Sequence, residues 1–314
     1  MSRSDYKDRR SKYSEYKKPK PQKLRDMGAF IKECDERLFA KMDAISREIC
    51  VDGEIKLIRL IGPTCAGKTT AAEMLEKSFA SMGKKLHTIS IDDFYFDKEI
   101  LHSRTKNGEI DYDSPETIDT AELRRFVNEI FTKDRSHAPI FDFTLGRRNG
   151  YREYECGDDD VFLFEGIQAL YPEISKIFLD SGHSSVEIYI APQSSVEIGD
   201  KIFQPNEIRL MRRIVRDRNF RGAEAEFTLK LWKSVRDNEE KNIFPYVGKC
   251  KYSIDTTMPY EIGVLKPFLV AALSSIPEDS PYRKEVDLML EKIESAVSIS
   301  CELIPENSIY KEFV

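Results

Sequence analysis

The chain has 314 residues, of which 40% are hydrophobic and 33% charged, with a formal net charge of -6 at pH 7. That length can bury the core of one large α/β domain or two modest ones without covalent staples, and the acidic balance gives no reason to expect a nucleic acid partner. No apolar run approaches the roughly eighteen residues of a membrane span, and the first 25 residues are basic and polar where a signal peptide would be apolar, so a cytoplasmic protein with no membrane partner is expected.

The N-terminal stretch carries many Lys and Arg, Tyr6, Tyr13 and Tyr16, and almost no aliphatic residues, the composition of a disordered tail. From Gly28 to Cys50 the apolar residues Ile31, Cys34, Leu38, Met42, Ile45 and Ile49 recur every three or four positions, which predicts an amphipathic helix. Glu54–Ile61 reads as a first strand and Leu86–Ile91 as a second, separated by a helix, a parallel βαβ unit. Further strands of the same sheet are predicted at Pro139–Phe143, Val161–Phe164 and Val186–Ile190, with a hairpin excursion at Gly146–Gly157. Helices are predicted at about 119–131, 206–219, 224–241 and 260–273, with a last one after Ser280. The fold class is therefore α/β, a parallel sheet with helices on both faces. The expected organisation is a tail over 1–27, a packed helix over 28–50 and one domain with a helical C-terminal extension over 51–314. Six cysteines lack CxxC pairs and His partners at ligand spacing, as expected of reduced thiols.

Gly62–Thr69, G-P-T-C-A-G-K-T, fits the phosphate-binding pattern GxxxxGK[ST] between a strand and a helix. Its backbone N–H groups and the helix N-terminus suit phosphate oxygens, Lys68 reaches the β and γ groups, and the Thr69 hydroxyl suits Mg²⁺. Gly62, Pro63, Thr64, Cys65, Ala66, Gly67, Lys68, Thr69 and Thr70 are thus the candidate nucleotide-binding residues, with ATP and Mg²⁺ as cofactors.

A phosphate loop does not define a reaction, so the chemistry must come from elsewhere. Asp92 and Asp93 end the second strand in I-S-I-D-D-F-Y, where a carboxylate can take a hydroxyl proton or cap the next element. Glu165 ends the apolar run V-F-L-F-E-G and is either a metal-side carboxylate or a structural hydrogen-bond acceptor. Arg209, Arg212, Arg213 and Arg216 fall on one side of a predicted helix. Like charges so close need compensation, from a triphosphate under an arginine lid or from Glu207, Asp217 and Glu224 on a solvated face. Tyr112, Phe141 and Phe143 can stack on a base or belong to the core, and Trp232 reads as packing.

Together these blocks resemble the uridine kinase and phosphoribulokinase group of P-loop kinases, most nearly the bacterial uridine kinase-like proteins whose kinase domain often follows a TGS domain. The matching stretches are I-G-P-T-C-A-G-K-T-T, I-S-I-D-D-F-Y, I-D-Y-D-S-P-E-T-I-D, F-D-F-T-L-G-R-R, F-E-G-I-Q-A-L, R-L-M-R-R-I-V-R-D-R-N-F-R-G, W-K-S-V-R-D-N-E-E-K-N-I-F-P-Y and P-Y-E-I-G-V-L-K-P, in order from about Ala44 to the C-terminus. The resemblance implies Asp92 as general base on a nucleoside 5′-hydroxyl, Tyr95 as a wall of the acceptor pocket and Asp113 as a ribose ligand. It also implies Glu165 by Mg²⁺, Arg209 toward the acceptor, and Arg212, Arg213 and Arg216 as lid residues on the phosphates, with Lys68, Arg212 and Arg216 joining Asp92 in catalysis.

Two departures are legible. Where the established uridine–cytidine kinases carry a Tyr and a His that hold the pyrimidine, this chain has Phe141 and Gly146, followed by Arg147 and Arg148, so Phe141 and Arg148 are candidate acceptor contacts of a different kind. In place of a TGS domain the expectation is the basic tail. The expected activity is phosphorylation of a small-molecule hydroxyl, a nucleoside first; another small alcohol or a nucleotide-binding regulatory module are the alternatives, and a homo-oligomer is left open.

Overall fold

A computed structural model describes residues 26–104 and 114–314; the expected tail falls almost wholly outside these residues, as do Tyr112 and Asp113. The central element is β1 (Ile55–Ile61), flanked on one side by β5 (Val161–Glu165) and then β2 (Leu86–Ser90), and on the other by β6 (Ser184–Ala191) and then β9 (Tyr252–Asp255), all parallel. Strands buried on both faces read as near-continuous apolar runs, which is why β1 and β5 were legible in the sequence. The period of two sorts them: Ile58, Leu60, Leu163, Ile188 and Ile190 join one apolar core, and Leu57, Ile61, Phe162, Phe164 and Tyr189 the other. Arg59 shares the second face and stays buried by pairing with Glu187 on the neighbouring strand and donating to Ser175 Oγ at 3.0 Å.

The first core is covered by α1 (Met27–Asp52), α2 (Lys68–Ser81), α6 (Pro205–Arg221), α9 (Glu261–Leu273) and α10 (Arg283–Glu294). Helix α1 starts where Asp26 caps it, accepting from Ala29 N–H at 3.0 Å, and its stripe of Ile31, Cys34, Leu38, Met42 and Ile49 is buried, as the periodicity required. The helix runs along α2. Its Asp35 carboxylate accepts from Tyr260 Oη at 2.8 Å, which ties the helix to the segment leading into α9.

The second core is covered by α4 (Thr120–Glu129), α5 (Pro172–Asp180) and a hairpin of β3 (Arg135–Asp142) and β4 (Arg147–Glu155). Here one expectation fails: Pro139–Phe143 is not a strand of the parallel sheet but part of β3, which pairs antiparallel with β4 in a separate two-stranded ribbon. The burial of β3 alternates instead of being continuous, the mark of a ribbon with one face on the core. The sheet's fifth strand is β9, whose four residues hold only two apolar side chains among Lys, Ser and Asp neighbours and carried too little pattern to be read. A short ribbon of β7 (Val196–Ile198) and β8 (Lys201–Phe203) precedes α6. The remaining helices are α3 (Lys98–Arg104), α7 (Ala225–Asn242) and α8 (Phe244–Val247). Among the described residues no helix is long and apolar enough to cross a membrane.

Met42 is 1% exposed in the α1 stripe. Met42→Ala is expected to lower the free energy of unfolding by about 2–5 kcal/mol, read as a lower urea midpoint at unchanged slope.

Candidate active site

Strand β1 delivers the chain into the Gly62–Gly67 loop and α2 takes it away at Lys68, so the phosphate motif lies at the carboxyl end of the central strand, where the strand order changes direction and ligands gather. Gly67 has φ 89°, and a Cβ there would stand 1.9 Å from Ile309 Cδ1, so both the backbone and its neighbour require glycine. Cys65 is the one non-glycine residue at positive φ among the described residues, 58°, and its side chain is buried. It serves the loop through its carbonyl. Lys68 Nζ donates back across the loop to Pro63 O at 3.3 Å, and Thr69 is exposed in the first turn of α2.

The loop carbonyls turn into the protein, where the C-terminal half meets them. Arg209 Nε donates to Thr64 O at 3.1 Å, Arg212 Nη1 to Cys65 O at 3.3 Å and Thr256 Oγ1 to Ala66 O at 3.0 Å. The remaining guanidinium donors are committed too. Arg209 pairs with both oxygens of Glu239 on α7 and lies 5.3 Å from the Trp232 ring. Arg212 donates from Nε to Glu261 on α9 at 2.8 Å, and from Nη2 to Tyr310 Oη at 2.7 Å and Thr256 O at 2.8 Å. Burial pulls the Arg212 guanidinium down, but Glu261 and Tyr310 outweigh it and leave the group above its ordinary value.

Arg209 and Arg212 are 2% and 0% exposed and stand behind the loop, their donors committed to loop carbonyls and to buried carboxylates. Arg213 and Arg216 both pair with Asp217, the latter at 2.7 Å, while Arg216 Nη1 reaches the Thr64 hydroxyl at 3.5 Å. The compensating anions are carboxylates of the chain itself, and the compensated face is buried. Of the carboxylates considered for a solvated face, Asp217 takes this role; Glu207 caps α6 and pairs with Lys292.

Across the sheet, Ser90 of β2 and Leu60 of β1 both lie level with Glu165 of β5, which brings the second acidic strand end beside the phosphate loop. Ser90 Oγ donates to Glu165 at 2.8 Å. Burial raises the Glu165 carboxyl above its ordinary value, and the Lys68 charge opposes the shift. Past β2 the chain makes a 3₁₀ turn, Ile91–Phe94, that carries both aspartates. Asp93 is structural: its Oδ1 accepts Phe141 N–H at 3.0 Å and docks the hairpin, and burial raises its carboxyl. Asp92 points the other way and accepts from Gln168 Nε2 at 2.9 Å.

Tyr95 and Phe141 lie together in the buried core, ring centroids 5.5 Å apart, and the exposed Phe143 lies 6.0 Å from Tyr95. Arg148 has its partners within the chain. Its Nε donates to Tyr95 O at 3.2 Å, and its Nη2 to Phe94 O at 3.4 Å and Asp119 Oδ2 at 3.0 Å, which fastens the turn bearing Asp92 to the hairpin and to α4.

The sequence reading missed the C-terminal segment, a 3₁₀ turn over Ile309–Glu312. Ile309 lies on Gly67, Tyr310 Oη donates to Glu261, and Phe313 O accepts from Asn219 at 3.2 Å. Glu312 Oε2 is buried without a partner among the described residues; burial raises its carboxyl, opposed by Lys68, Arg216, Arg212 and Arg221. Glu239, Glu261 and Gln168 were missed as well. The signal for Glu261 was a carboxylate at the head of an otherwise apolar helix.

A parallel sheet with a phosphate loop at its switch point and two carboxylate-bearing strand ends beside that loop defines a P-loop phosphotransferase. The sequence profile of the Phosphoribulokinase / Uridine kinase family matches residues 57–259, and the chain belongs to that family of kinases. It is 25% identical over 210 residues to a uridine kinase of Mycoplasma genitalium, which covers 65% of this chain and 84% of the relative. It is 26% identical over 244 residues to a uridine kinase of Clostridium novyi, which covers 77% of this chain and 96% of the relative. Among solved structures it is similar to a phosphoribulokinase from Rhodobacter spheroides, at 13% identity and a TM-score of 0.44 over 77% of this chain and 99% of that one.

Removing one member of a buried pair strands the other charge. Arg212→Ala is expected to cost about 3–5 kcal/mol of stability in the absence of nucleotide, measured by chemical denaturation. An arginine serving only as a mobile lid would leave the unfolding midpoint unchanged.

Proposed function

We propose that this chain is an ATP- and Mg²⁺-dependent kinase that phosphorylates a hydroxyl of a small molecule, with the 5′-hydroxyl of a nucleoside as the leading acceptor. The observation that carries the reading is the Asp92 carboxylate, held by Gln168 on a turn whose strand ends level with Glu165 and the phosphate loop. In the proposed reaction the acceptor oxygen attacks the γ-phosphorus and the bond from that phosphorus to the β,γ-bridging oxygen breaks. ADP leaves, and the hydroxyl proton passes to Asp92. The loop amides and Lys68 hold the phosphates and counter the charge that moves onto ADP.

The donor set fits a magnesium ion. Thr69 and Glu165 offer hard oxygens beside Lys68, and the described residues contain no cluster of three or more His, Cys, Asp or Glu fit to cage a metal. Mg²⁺ keeps several waters and takes the rest of its shell from one or two protein oxygens and substrate phosphates, which matches such a sparse set. When bound, it draws charge from the β- and γ-phosphate oxygens.

The nucleoside preference rests on the family resemblance and on relatives named uridine kinase at 25–26% identity. The paired rings of Tyr95 and Phe141 are proposed to back the acceptor pocket, and Asp113, outside the described residues, is proposed as the sugar ligand. One observation favours a different small alcohol. The hairpin presents Phe141 and Gly146 where pyrimidine-holding side chains are expected, and Arg148 is spent on the Asp92 turn.

The test is ADP release from ATP and Mg²⁺ across nucleosides, sugar phosphates and pantothenate. One acceptor is expected to stimulate turnover, and Asp92→Asn to reduce that stimulated rate by about 10²–10⁴-fold. Chelating the metal is expected to abolish turnover, and added Mg²⁺ to restore it. ATP binding with no stimulating acceptor in the panel would overturn the kinase reading in favour of a nucleotide-binding regulatory module.

A further inference from the structure

Gln168 lies in the 3₁₀ turn Ile167–Leu170 that follows Glu165 and Gly166, and it is 0% exposed. Its Nε2 donates to Asp92 Oδ1 at 2.9 Å and to Tyr95 Oη at 2.8 Å, so one amide group joins the proposed base to the proposed wall of the acceptor pocket. The opposite amide orientation would set the carbonyl oxygen against a carboxylate at that distance, which is repulsive, so the donor assignment follows from the chemistry of the partners. A price remains on the other side of the amide, where Oε1 is buried with no partner among the described residues.

An unsatisfied buried oxygen costs stability, and an apolar side chain of the same size would fill the site without that cost. The residue before the turn leaves room for this oxygen: a Cβ on Gly166 would stand 2.9 Å from Oε1 and 3.0 Å from Ile91 Cβ, so a larger residue would have to displace the amide or Ile91. The amide thus places both N–H donors on two residues of the proposed acceptor side while its oxygen has no partner among the described residues.

We infer that Gln168 is a positioning residue for phosphoryl transfer, holding the Asp92 carboxylate and the Tyr95 hydroxyl in fixed relation so that the acceptor hydroxyl meets the base in line with the γ-phosphate. This rests on the reading of Asp92 as base. Two accepted N–H bonds orient the pair: Asp92 receives one proton on Oδ1, and Tyr95 receives the other on its oxygen, which turns its own hydroxyl hydrogen away from Gln168. Among the described residues the two neighbouring carboxylates have partners of their own. Asp93 is engaged with the Phe141 amide, and Glu165 with Ser90 on the loop side.

The experiment compares Gln168→Met, which keeps the volume and removes both donors, with wild type, using the acceptor that gives the fastest ADP release. Gln168→Leu serves as a second apolar variant should the first fold poorly, and thermal melting without ligand is recorded for each. The expected result is a fall in kcat of about 10²-fold, the scale of an ångström of misplacement, with KM for ATP within about twofold of wild type in a protein that still melts cooperatively above the assay temperature. In an Asp92→Asn background the same substitution is expected to change the residual rate less than about threefold, because Gln168 acts through Asp92. A kcat within about twofold of wild type, or an equal loss in both backgrounds, would overturn the positioning role. Wild-type turnover in Asp92→Asn alone is the separate result that removes the base reading, and Gln168's role with it.

Discussion

A phosphate loop turns its amide N–H groups toward the ligand, and its carbonyls must then face the protein, where each buried oxygen needs a donor. In this chain the donors are Arg209, Arg212 and Thr256, which reach the carbonyls of Thr64, Cys65 and Ala66 in turn. Burying two guanidinium groups under a loop is affordable only with carboxylates equally buried, and these come from Glu239 on α7 and Glu261 on α9. The loop, three helices and the segment after β9 are thereby bound into one charge-balanced network. The Ile309–Glu312 turn joins it through the Tyr310 hydroxyl.

The two halves of the site are held by different means. The phosphate loop stands on the ion-paired network beneath it. The residues proposed for the acceptor side stand on hydrogen bonds to the hairpin and to the turn after β5: Asp93 docks the hairpin, Arg148 clasps the turn, and Gln168 meets Asp92 and Tyr95 from the other side. What aligns the halves is the sheet itself, since parallel pairing of β1, β5 and β2 fixes the heights at which the loop, Glu165 and the aspartate turn emerge. Rigid strands thus set the distances, and local polar contacts set the orientations.

Much of this was legible because it is local. The loop motif, the stripe of α1 and the apolar runs of β1 and β5 are patterns within single elements, and Asp92 and Glu165 announced themselves by ending such runs. The partners of the arginines were not legible. Glu239 lies 30 positions from Arg209 and Glu261 49 from Arg212, and spacing along one helix reports only neighbours on that helix. Read along one helix, the stripe therefore shows its positive charges and none of the distant carboxylates that pair with them. The hairpin was misplaced for a related reason: Pro139–Phe143 is apolar enough for a sheet strand, and only its antiparallel pairing with β4 removes it from the parallel sheet. Gln168 gave no signal, because an amide among apolar residues reveals its purpose only through what it touches.

The central claim is that the loop and the Asp92 turn act on one phosphoryl group. Phosphorus NMR of an ATP and Mg²⁺ reaction with a nucleoside acceptor follows that group directly. The account predicts that the γ-phosphate resonance of ATP is replaced by a phosphomonoester resonance, split by coupling to the protons on the acceptor carbon, at the rate at which ADP appears. Appearance of the γ-phosphate as inorganic phosphate alone, at a rate indifferent to every acceptor supplied, would contradict it.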